Sequence, residues 1–260
     1  MLKIKCGDCF WHHLTSVPEN TFHRHMHNEF ELLYFLSGDA EYIIEGSVYR
    51  LRPRDLLLIR PRTFHYLKPL SAAPYERFVI NIPEGEIPPL LRDFAQSTEN
   101  IFRLPEHHPA ARLFEDWIEI EARGSAEELT LFLSSFVKST LLYLKLLPIT
   151  APVTPLRANR TFDAVLRYID EHPEERITAA TLAARFFIST SSIVHACRHT
   201  LGISLMQYVS KKRILYAQSR IRSGISPTEV AKLCHYESYA TFYRQYKKIL
   251  NRSPHEDAVK

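Results

Sequence analysis

The feature that most restricts the fold of this 260-residue chain is a change in the spacing of its apolar residues. Residues 1–83 carry short runs rich in β-branched and aromatic residues, separated by turn signals at 37–39, 45–47 and 52–55. Evenly spaced short strands with tight turns are typical of a small β-sandwich or barrel. From residue 87 onward the apolar residues recur with the period of an α-helix. We therefore predict a β-rich N-terminal part followed by a largely helical remainder.

A proline-containing segment, LPITAPVTPLRANR, divides the chain a second time and has the composition of a linker. The predicted organisation is a β-barrel over 1–83, a helical segment over 84–148 that serves dimerisation, a linker over 149–159 and an all-α domain over 160–260. The chain as a whole is predicted to be a multidomain protein of mixed β and α structure.

The helical segment 84–148 contains two apolar stretches. In RLFEDWIEIEA, one apolar stripe with acidic residues opposite consists of Leu113, Phe114, Trp117, Ile118 and Ile120. Residues 127–147 are apolar on more than one side, so either packing within the domain or a homodimer interface is expected to cover them. Lys138 and Lys145 interrupt this run and favour a buried helix over a membrane span.

Charge is unevenly distributed along the chain. Residues 1–156 hold 16 basic and 20 acidic side chains, whereas residues 157–260 hold 17 basic and 9 acidic ones. An acidic N-terminal half joined to a basic C-terminal half indicates a sensor attached to a nucleic-acid-binding domain. The N-terminus lacks an apolar signal core, so a cytoplasmic location is expected, without a membrane partner.

The C-terminal half contains two units, each with a helix, a tight turn and a second helix. The first is ITAATLAARFFISTSSIVHACRHTLG, and the second is ISPTEVAKLCHYESYATFYRQYKKILNRSP. The stretch between them, MQYVSKKRILYAQSRIRS, is predicted to be one continuous helix that joins them. A helix that reads DNA needs small or polar residues near its N-terminus and flanking cations for phosphates. The candidate DNA-binding residues are Ser191, Ser192, His195, Arg198 and His199 in the first unit and Ala240, Thr241, Arg244, Lys247 and Lys248 in the second.

These two units together resemble the DNA-binding domain of the AraC/XylS family of transcriptional regulators. The resemblance implies that the units enter successive major grooves, with His195 and Arg244 at positions where that family usually has arginines. Three positions depart from the family pattern. His235 and Asn251 replace usual glycines, and Cys197 replaces a large aromatic residue, so looser packing of the first unit is expected.

The segment HRHMHNEFE carries His23, His25, His27, Glu29 and Glu31 at a spacing of two. On a β-strand this parity would place all five side chains on one face. The N-terminal half also resembles the cupin sensor domain of many AraC-type proteins. The cupin pattern has a glycine at a fixed interval after its histidines and glutamate. Only when the pattern is aligned to begin at His25 does Gly38 fall at that interval. The resemblance then implies that four residues converge inside the barrel, namely His25, His27, Glu31 and His65.

Three interpretations of these four residues remain open at the level of the sequence. They could hydrogen-bond a small effector, because imidazole and carboxylate groups orient hydroxyls and carboxylates. They could hold a divalent transition metal ion. The chain is otherwise expected to have no cofactor. They could also form a structural polar cluster. The leading interpretation is the effector pocket.

The leading hypothesis is a sequence-specific DNA-binding regulator, without catalytic residues, that responds to the effector. By resemblance it is expected to be an activator, with promoter DNA and RNA polymerase as partners. The alternative is a cupin metalloenzyme of the dioxygenase or isomerase type with a helical appendage.

Overall fold

In a computed structural model of the chain, the described residues are 2–6, 9–16, 24–149, 153–156 and 159–258. The chain divides into two compact units, the first of residues 1–44 and 48–157 and the second of residues 45–47 and 158–260, so the main boundary falls inside the segment that the sequence assigns to the linker. Within the described ranges, the β-strands, apart from Ser47, and three α-helices belong to the first unit, and six α-helices belong to the second. The predicted order of a β-rich domain followed by an all-α domain is confirmed.

Two antiparallel sheets form the first unit. Its strands are β1 (Leu2–Cys6), β2 (Cys9–Ser16), β3 (Phe30–Ser37), β4 (Ala40–Ile44), β5 (Ser47–Arg50), β6 (Asp55–Ile59), β7 (His65–Pro69), β8 (Tyr75–Ile82) and β9 (Ile101–Arg103). The larger sheet has the order β1-β2-β8-β3-β6-β9, and the smaller one has the order β5-β4-β7. Over the described part of the chain, the two sheets do not join into a closed barrel, which corrects the expected closed form.

The change of sheet after β3 depends on the glycine that follows it. Gly38 has a φ of 117°, a backbone angle that residues with a side chain rarely adopt. A Cβ placed on Gly38 would lie 2.4 Å from the Cβ of Tyr75. The sharp turn that Gly38 permits sends β4 into the smaller sheet instead of pairing it with β3.

Strand β3 lies at the centre of the larger sheet and is buried on both faces. Its outer face presents Phe30, Leu32 and Tyr34 to the helices of the first unit. Its inner face presents Leu33 and Phe35 to an apolar core that also contains residues of β4, β6 and β9. Because side chains alternate along a strand, Glu31 shares the inner face, as a carboxylate in an apolar setting.

Three helices cover the outer face of the larger sheet: α1 (Pro89–Ser97), α2 (Pro109–Arg123) and α3 (Ala126–Leu146). The Phe114 ring stacks on Tyr34 with a centroid separation of 4.1 Å, and Trp117 is fully buried. Ile118 is 42% exposed, so it does not belong to the buried stripe of α2. Strand β9 was not expected within the helical segment. By length and composition alone, α3 is long and apolar enough to cross a membrane. This is weak evidence for a membrane span, because the core helices of other proteins meet the same criteria.

The second unit consists of α4 (Arg160–Glu171), α5 (Ala179–Phe186), α6 (Thr190–Leu201), α7 (Leu205–Arg222), α8 (Pro227–Leu233) and α9 (Tyr239–Leu250). Helices α5 and α6 form one helix-turn-helix, α8 and α9 form the other, and α7 joins them as predicted. Serine N-caps begin both second helices, because Ser189 accepts from the Ser192 N–H and Ser238 from the Thr241 N–H.

A buried carboxylate fastens the chain after α9 to the second unit. Asp257 Oδ2 accepts hydrogen bonds from Gln218 Nε2 at 2.9 Å and from Tyr246 Oη at 2.8 Å. Its Oδ1 lies 2.9 Å from Arg222 Nε and 3.3 Å from Arg252 Nη1. Burial by itself would raise the pKa of Asp257, but the hydrogen bonds from Gln218, Tyr246 and Arg222 lower it below its ordinary value.

Replacing Asp257 with alanine is expected to lower the free energy of unfolding of the second unit by about 2 kcal/mol, because buried donors on Gln218 and Tyr246 lose their acceptor. Denaturant unfolding of the full chain measures this. The deficit should be complete above about pH 4 and should shrink as the pH falls through the lowered pKa of Asp257. Glu237→Ala, at a side chain that is 93% exposed, is the control. Equal stability of the two variants would contradict the assigned role.

Candidate ligand site and nucleic-acid interface

The polar residues of HRHMHNEFE do not all lie on one strand. Strand β3 begins at Phe30, so His25 and His27 belong to the irregular segment before it, and only Glu31 is a strand residue. The parity argument for the whole segment is therefore wrong, and His23 lies outside the described residues. His25 instead forms a β-bridge with His65, with N–H to carbonyl distances of 3.2 and 3.0 Å.

Four of the expected residues nevertheless converge, and they are named the histidine cluster here: His25, His27, Glu31 and His65. One ligand-type atom from each of the four lies within 4.8 Å of the others. The ring centroid of His65 is 4.3 Å from that of His25 and 5.1 Å from that of His27. Burial increases inward, from exposed His25 and half-buried His27 to buried Glu31 and His65. The cluster therefore has a solvent-facing side and a closed side.

The Glu31 carboxylate is the centre of the cluster. Tyr42 donates its hydroxyl hydrogen to Glu31 Oε1 at 3.0 Å. Glu31 Oε2 lies 3.3 Å from His27 Nε2 and 3.4 Å from His65 Nε2. The outer nitrogens are held by backbone carbonyls: His27 Nδ1 lies 3.0 Å from the oxygen of Glu29, and His65 Nδ1 lies 2.8 Å from that of Thr63.

The pKa values in the cluster are shifted by these contacts. Burial would raise the pKa of Glu31, but the neighbouring His65 and His27 side chains lower it well below its usual value. Burial would lower the pKa of His27, but the hydrogen bond and negative charge of Glu31 raise it. The pKa of Tyr42 is raised well above its usual value by burial and then by the Glu31 carboxylate. Glu31 is therefore an anion, and Tyr42 remains a neutral donor to it.

Sequence reasoning missed three polar neighbours of the cluster. Tyr42 is the donor to Glu31, and the Asn81 amide nitrogen lies 3.5 Å from His27 Nε2. Arg77 interacts electrostatically with Glu31 and donates to Ser16 Oγ at 3.1 Å, and burial lowers its pKa. Arg77 and Asn81 alternate along β8 with core residues such as Phe78 and Ile80. This alternation is visible in the sequence and would have predicted that Arg77 and Asn81 lie on the inner face of the larger sheet.

The segment before His65 passes through a left-handed backbone conformation, which glycine adopts most readily. Arg62 has a φ of 63°. Its N–H donates to the carbonyl oxygen of His27 at 2.6 Å. This bond ties the segment before β7 to the segment before β3, which brings His65 and His27 together.

The ten predicted DNA-binding residues all lie on exposed faces of α6 and α9. On α6, Ile193, Cys197 and Leu201 are buried. The exposed residues there are Ser191, Ser192, His195, Arg198 and His199. On α9, Phe242 and Tyr246 are buried. The exposed residues there are Ala240, Thr241, Arg244, Lys247 and Lys248.

A groove on the α6 side of the second unit extends the predicted surface. It is lined by Asn159, Ser191, Ser192, His195, Ala196, His199 and Thr200. Sequence reasoning missed Ala196 and Thr200, although each follows Ser192 at a multiple of four residues and therefore shares its helix face.

The positions that depart from the family pattern keep a regular geometry. His235 has a φ of 56° and Asn251 a φ of 54°, so both occupy the left-handed region that glycine would favour. The turn of the first unit passes through the same region at Phe187, with a φ of 53°. Cys197 is fully buried in the first unit, where burial raises its pKa to about 12.

The fold and these two sites define a β-rich ligand-binding domain followed by a tandem helix-turn-helix domain. This domain arrangement is that of a transcriptional regulator. A family model described as an AraC-like ligand-binding domain matches residues 12–137, and a helix-turn-helix domain model matches residues 182–258. The two domains of the chain therefore match the ligand-binding and helix-turn-helix domains of AraC-type transcriptional regulators.

Individual relatives match parts of the chain. The probable transcriptional regulator LumQ of Photobacterium leiognathi is 30% identical over 34% of this chain and 36% of its own length. The uncharacterized HTH-type transcriptional regulator YijO of Escherichia coli (strain K12) is 29% identical over 40% of this chain and 37% of its own length. The chain thus spans little more than a third of these relatives. ToxT from Vibrio cholerae O395 is similar in structure, at 16% identity, 95% coverage of both chains and a TM-score of 0.41.

Replacing His235 with glycine is expected to raise the free energy of unfolding by about 1 kcal/mol, because a side chain in the left-handed region carries strain that glycine lacks. Thermal or denaturant unfolding of the full chain measures the change. Lys232→Gly, inside α8, is the matched control and should lower the stability by about 1 kcal/mol. Loss of stability in the His235 variant would show that this turn is not strained.

Proposed function

We propose that this chain binds double-stranded promoter DNA through α6 and α9 and that a small ligand at the histidine cluster regulates this binding. The observation that carries the proposal is the pair of helix-turn-helix units, whose second helices both expose small or polar residues near the N-terminus and cations further along. The excess of basic residues in the C-terminal half supports it, because cations that neutralise phosphates supply affinity.

The two second helices have different chemistry. On α6 the hydroxyls of Ser191 and Ser192 lie 2.9 and 2.7 Å from Ser189 Oγ, so they are shared with the helix cap. On α9, Arg244 is exposed and contacts Thr241 Oγ1 at 3.4 Å. An arginine can form a bidentate hydrogen-bonded contact with guanine. We therefore assign base recognition mainly to Arg244 and phosphate contacts to Lys247 and Lys248.

The ligand-sensing role rests on the chemistry of the histidine cluster. Titratable groups with strongly shifted pKa values and a specific charged partner are candidates for a functional site. The matched ligand-binding domain contains all four residues of the cluster. Ligand binding in the first unit would change DNA affinity through a coupling free energy between two distinct sites.

The family assignment indicates a regulator and not an enzyme. The metalloenzyme alternative leaves the tandem helix-turn-helix units without a role, so it is the weaker hypothesis. Activation, with RNA polymerase as the partner, and a cytoplasmic location remain proposals. Transcription in vitro from the regulated promoter, with and without the chain, distinguishes activation from repression.

Replacing Arg244 with alanine is expected to weaken binding to the specific site by about 1–3 kcal/mol and to relax base preference at one position. Replacing Lys247 with alanine should instead weaken binding to all sequences and reduce the salt dependence by about one phosphate contact. Fluorescence anisotropy with specific and scrambled duplexes at several salt concentrations measures both.

Arg123→Ala, at an exposed position at the end of α2, is the control and should bind like the unmodified chain. The assignment of base recognition to Arg244 fails if this variant loses affinity equally for specific and scrambled duplexes. The DNA-binding proposal itself fails if the unmodified chain forms no salt-sensitive complex with any upstream duplex.

We also propose that α3 forms a homodimer interface. Its solvent-facing side exposes Leu131 at 77% and Leu142 at 38%. In an antiparallel pair of α3 helices centred between residues 136 and 137, Leu131 of each copy faces Leu142 of the other. The same arrangement places Glu128 opposite Lys145, so opposite charges meet at both ends. A self-complementary pattern of this kind is what a two-fold interface requires.

Replacing Leu131 with aspartate should shift the chain toward the monomer by at least about tenfold in dimer affinity, because a charge would be buried against an apolar partner. Sedimentation equilibrium measures the shift. Leu156→Asp is the control, since Leu156 is 63% exposed and lies outside α3. If the Leu131 variant dimerises as strongly as the control, α3 is not the interface.

A further inference from the structure

The second helices of the two helix-turn-helix units differ in the number of fixed charges that they present. Helix α9 exposes Arg244, Lys247 and Lys248. Helix α6 contains no carboxylate and a single arginine, Arg198, which stays charged at every physiological pH. Phosphates are attracted by cations, so α9 has a fixed attraction for DNA, whereas the attraction of α6 depends on its other side chains.

Two histidines flank Arg198 on α6. His195 and His199 are both exposed, and their rings are nearly parallel, with an interplanar angle of 12° and centroids 6.1 Å apart. They are four residues apart, so they project from the same face of the helix. In the part of the chain that the structure describes, neither imidazole forms a hydrogen bond or an ion pair. Both rings can therefore contact a ligand that approaches α6 from solvent.

The groove that the two rings line carries no other charge among the described residues. Its remaining lining residues are Asn159, Ser191, Ser192, Ala196 and Thr200. The side chain of Asn159 already caps α4, because it accepts from the Phe162 N–H at 3.1 Å. The charge inside this groove is therefore decided by the two imidazoles.

The helices that pack against α6 provide no carboxylate for an imidazolium. Neither α5 nor α7 contains an aspartate or a glutamate. Arg185 on α5 lies over the Tyr168 ring at 4.1 Å. Lys212 on α7 lies 3.1 Å from Asp170 Oδ1 and 2.8 Å from Glu45 Oε1, so these two carboxylates already have a cation. The other titratable or charged side chains of α7 are Tyr208, Lys211, Arg213, Tyr216, Arg220 and Arg222.

This environment couples protons to DNA. Imidazole is the side-chain group that ordinarily changes its charge between pH 5 and 8. A phosphate next to an imidazolium favours the charged form, and the protein itself offers no anion on α5, α6 or α7 that would do so beforehand. Binding of protons and binding of DNA at the same helix face therefore strengthen each other.

We infer that His195 and His199 contact the DNA backbone as imidazolium ions, so that the chain takes up protons when it binds DNA and its DNA affinity is regulated by pH through α6. Helix α9, with its fixed cations, supplies the part of the affinity that does not depend on pH. At high pH, α6 retains only Arg198 as a cation. This inference rests on the proposed DNA-binding function and names a regulation of that same surface.

Fluorescence anisotropy of the full chain with the specific duplex, from about pH 5.5 to about pH 8.5 at constant ionic strength, tests the inference. The affinity should fall by at least about tenfold between about pH 6 and about pH 8, because each proton taken up contributes up to about tenfold per pH unit. The salt dependence should be steeper at the lower pH by about one to two phosphate contacts. A constant affinity, in a chain shown by circular dichroism to stay folded over this range, overturns the inference.

Variants assign the protons to α6. The variant with both His195→Gln and His199→Gln should lose most of the pH dependence and bind throughout as the unmodified chain binds at high pH. His195→Arg should bind more tightly than the unmodified chain at high pH, because its charge is fixed. His107→Gln, at an exposed histidine just before α2, is the control and should keep the full pH dependence. Full pH dependence in the double variant overturns the inference.

His27→Gln separates this effect from titration of the histidine cluster in the first unit. If His27→Gln removes the pH dependence and the double variant on α6 retains it, the protons belong to the first unit and the inference is overturned. A complex whose affinity is the same at every pH leaves the DNA-binding proposal standing and removes only the proton uptake. If the unmodified chain forms no complex at any pH, both proposals fail.

Discussion

The first unit depends on one buried carboxylate. Glu31 lies on the inner face of a strand whose other buried residues are apolar, and a charge in that position is stable only with partners. Tyr42 from the smaller sheet satisfies one oxygen, and His27 and His65 from two separate segments surround the other. The compensation of a single charge therefore joins the smaller sheet, through Tyr42 and His65, to the irregular segment that carries His27. The same contacts create the only titratable cluster of this composition among the described residues.

The turns of the second unit contain residues in a strained backbone conformation. Both helix-turn-helix units pass through left-handed residues with side chains, Phe187 and His235, where glycine would be relaxed. Serine caps begin the helices that follow, so the direction of each second helix is fixed by local hydrogen bonds at its start. The buried Asp257 then anchors the segment after α9 to α7 and α9. The exposed faces of α6 and α9 are in this way held in place by elements outside the proposed DNA-binding surface.

Much of the architecture follows from local patterns. Helical periodicity, serine caps and turn residues predicted both helix-turn-helix units and the helix between them, because these signals act over four to seven residues. Strand β9 and the exposed Ile118 were not predicted, since edge pairing and the covered arc of a helix depend on distant partners. The missed Tyr42 and Asn81 have the same cause: each contacts the histidine cluster from another strand.

The sequence by itself determined which residue types could form the two sites: imidazoles and a carboxylate near the N-terminus, and small polar residues with cations on two helices near the C-terminus. Only the tertiary structure decided how the first set meets. His25 and His27 precede β3 instead of belonging to it, and a backbone bridge and the left-handed Arg62 bring His65 to them. The physical reason is that helix faces are fixed by local periodicity, whereas a cluster assembled from three segments is fixed by long-range backbone pairing and by the cost of burying Glu31.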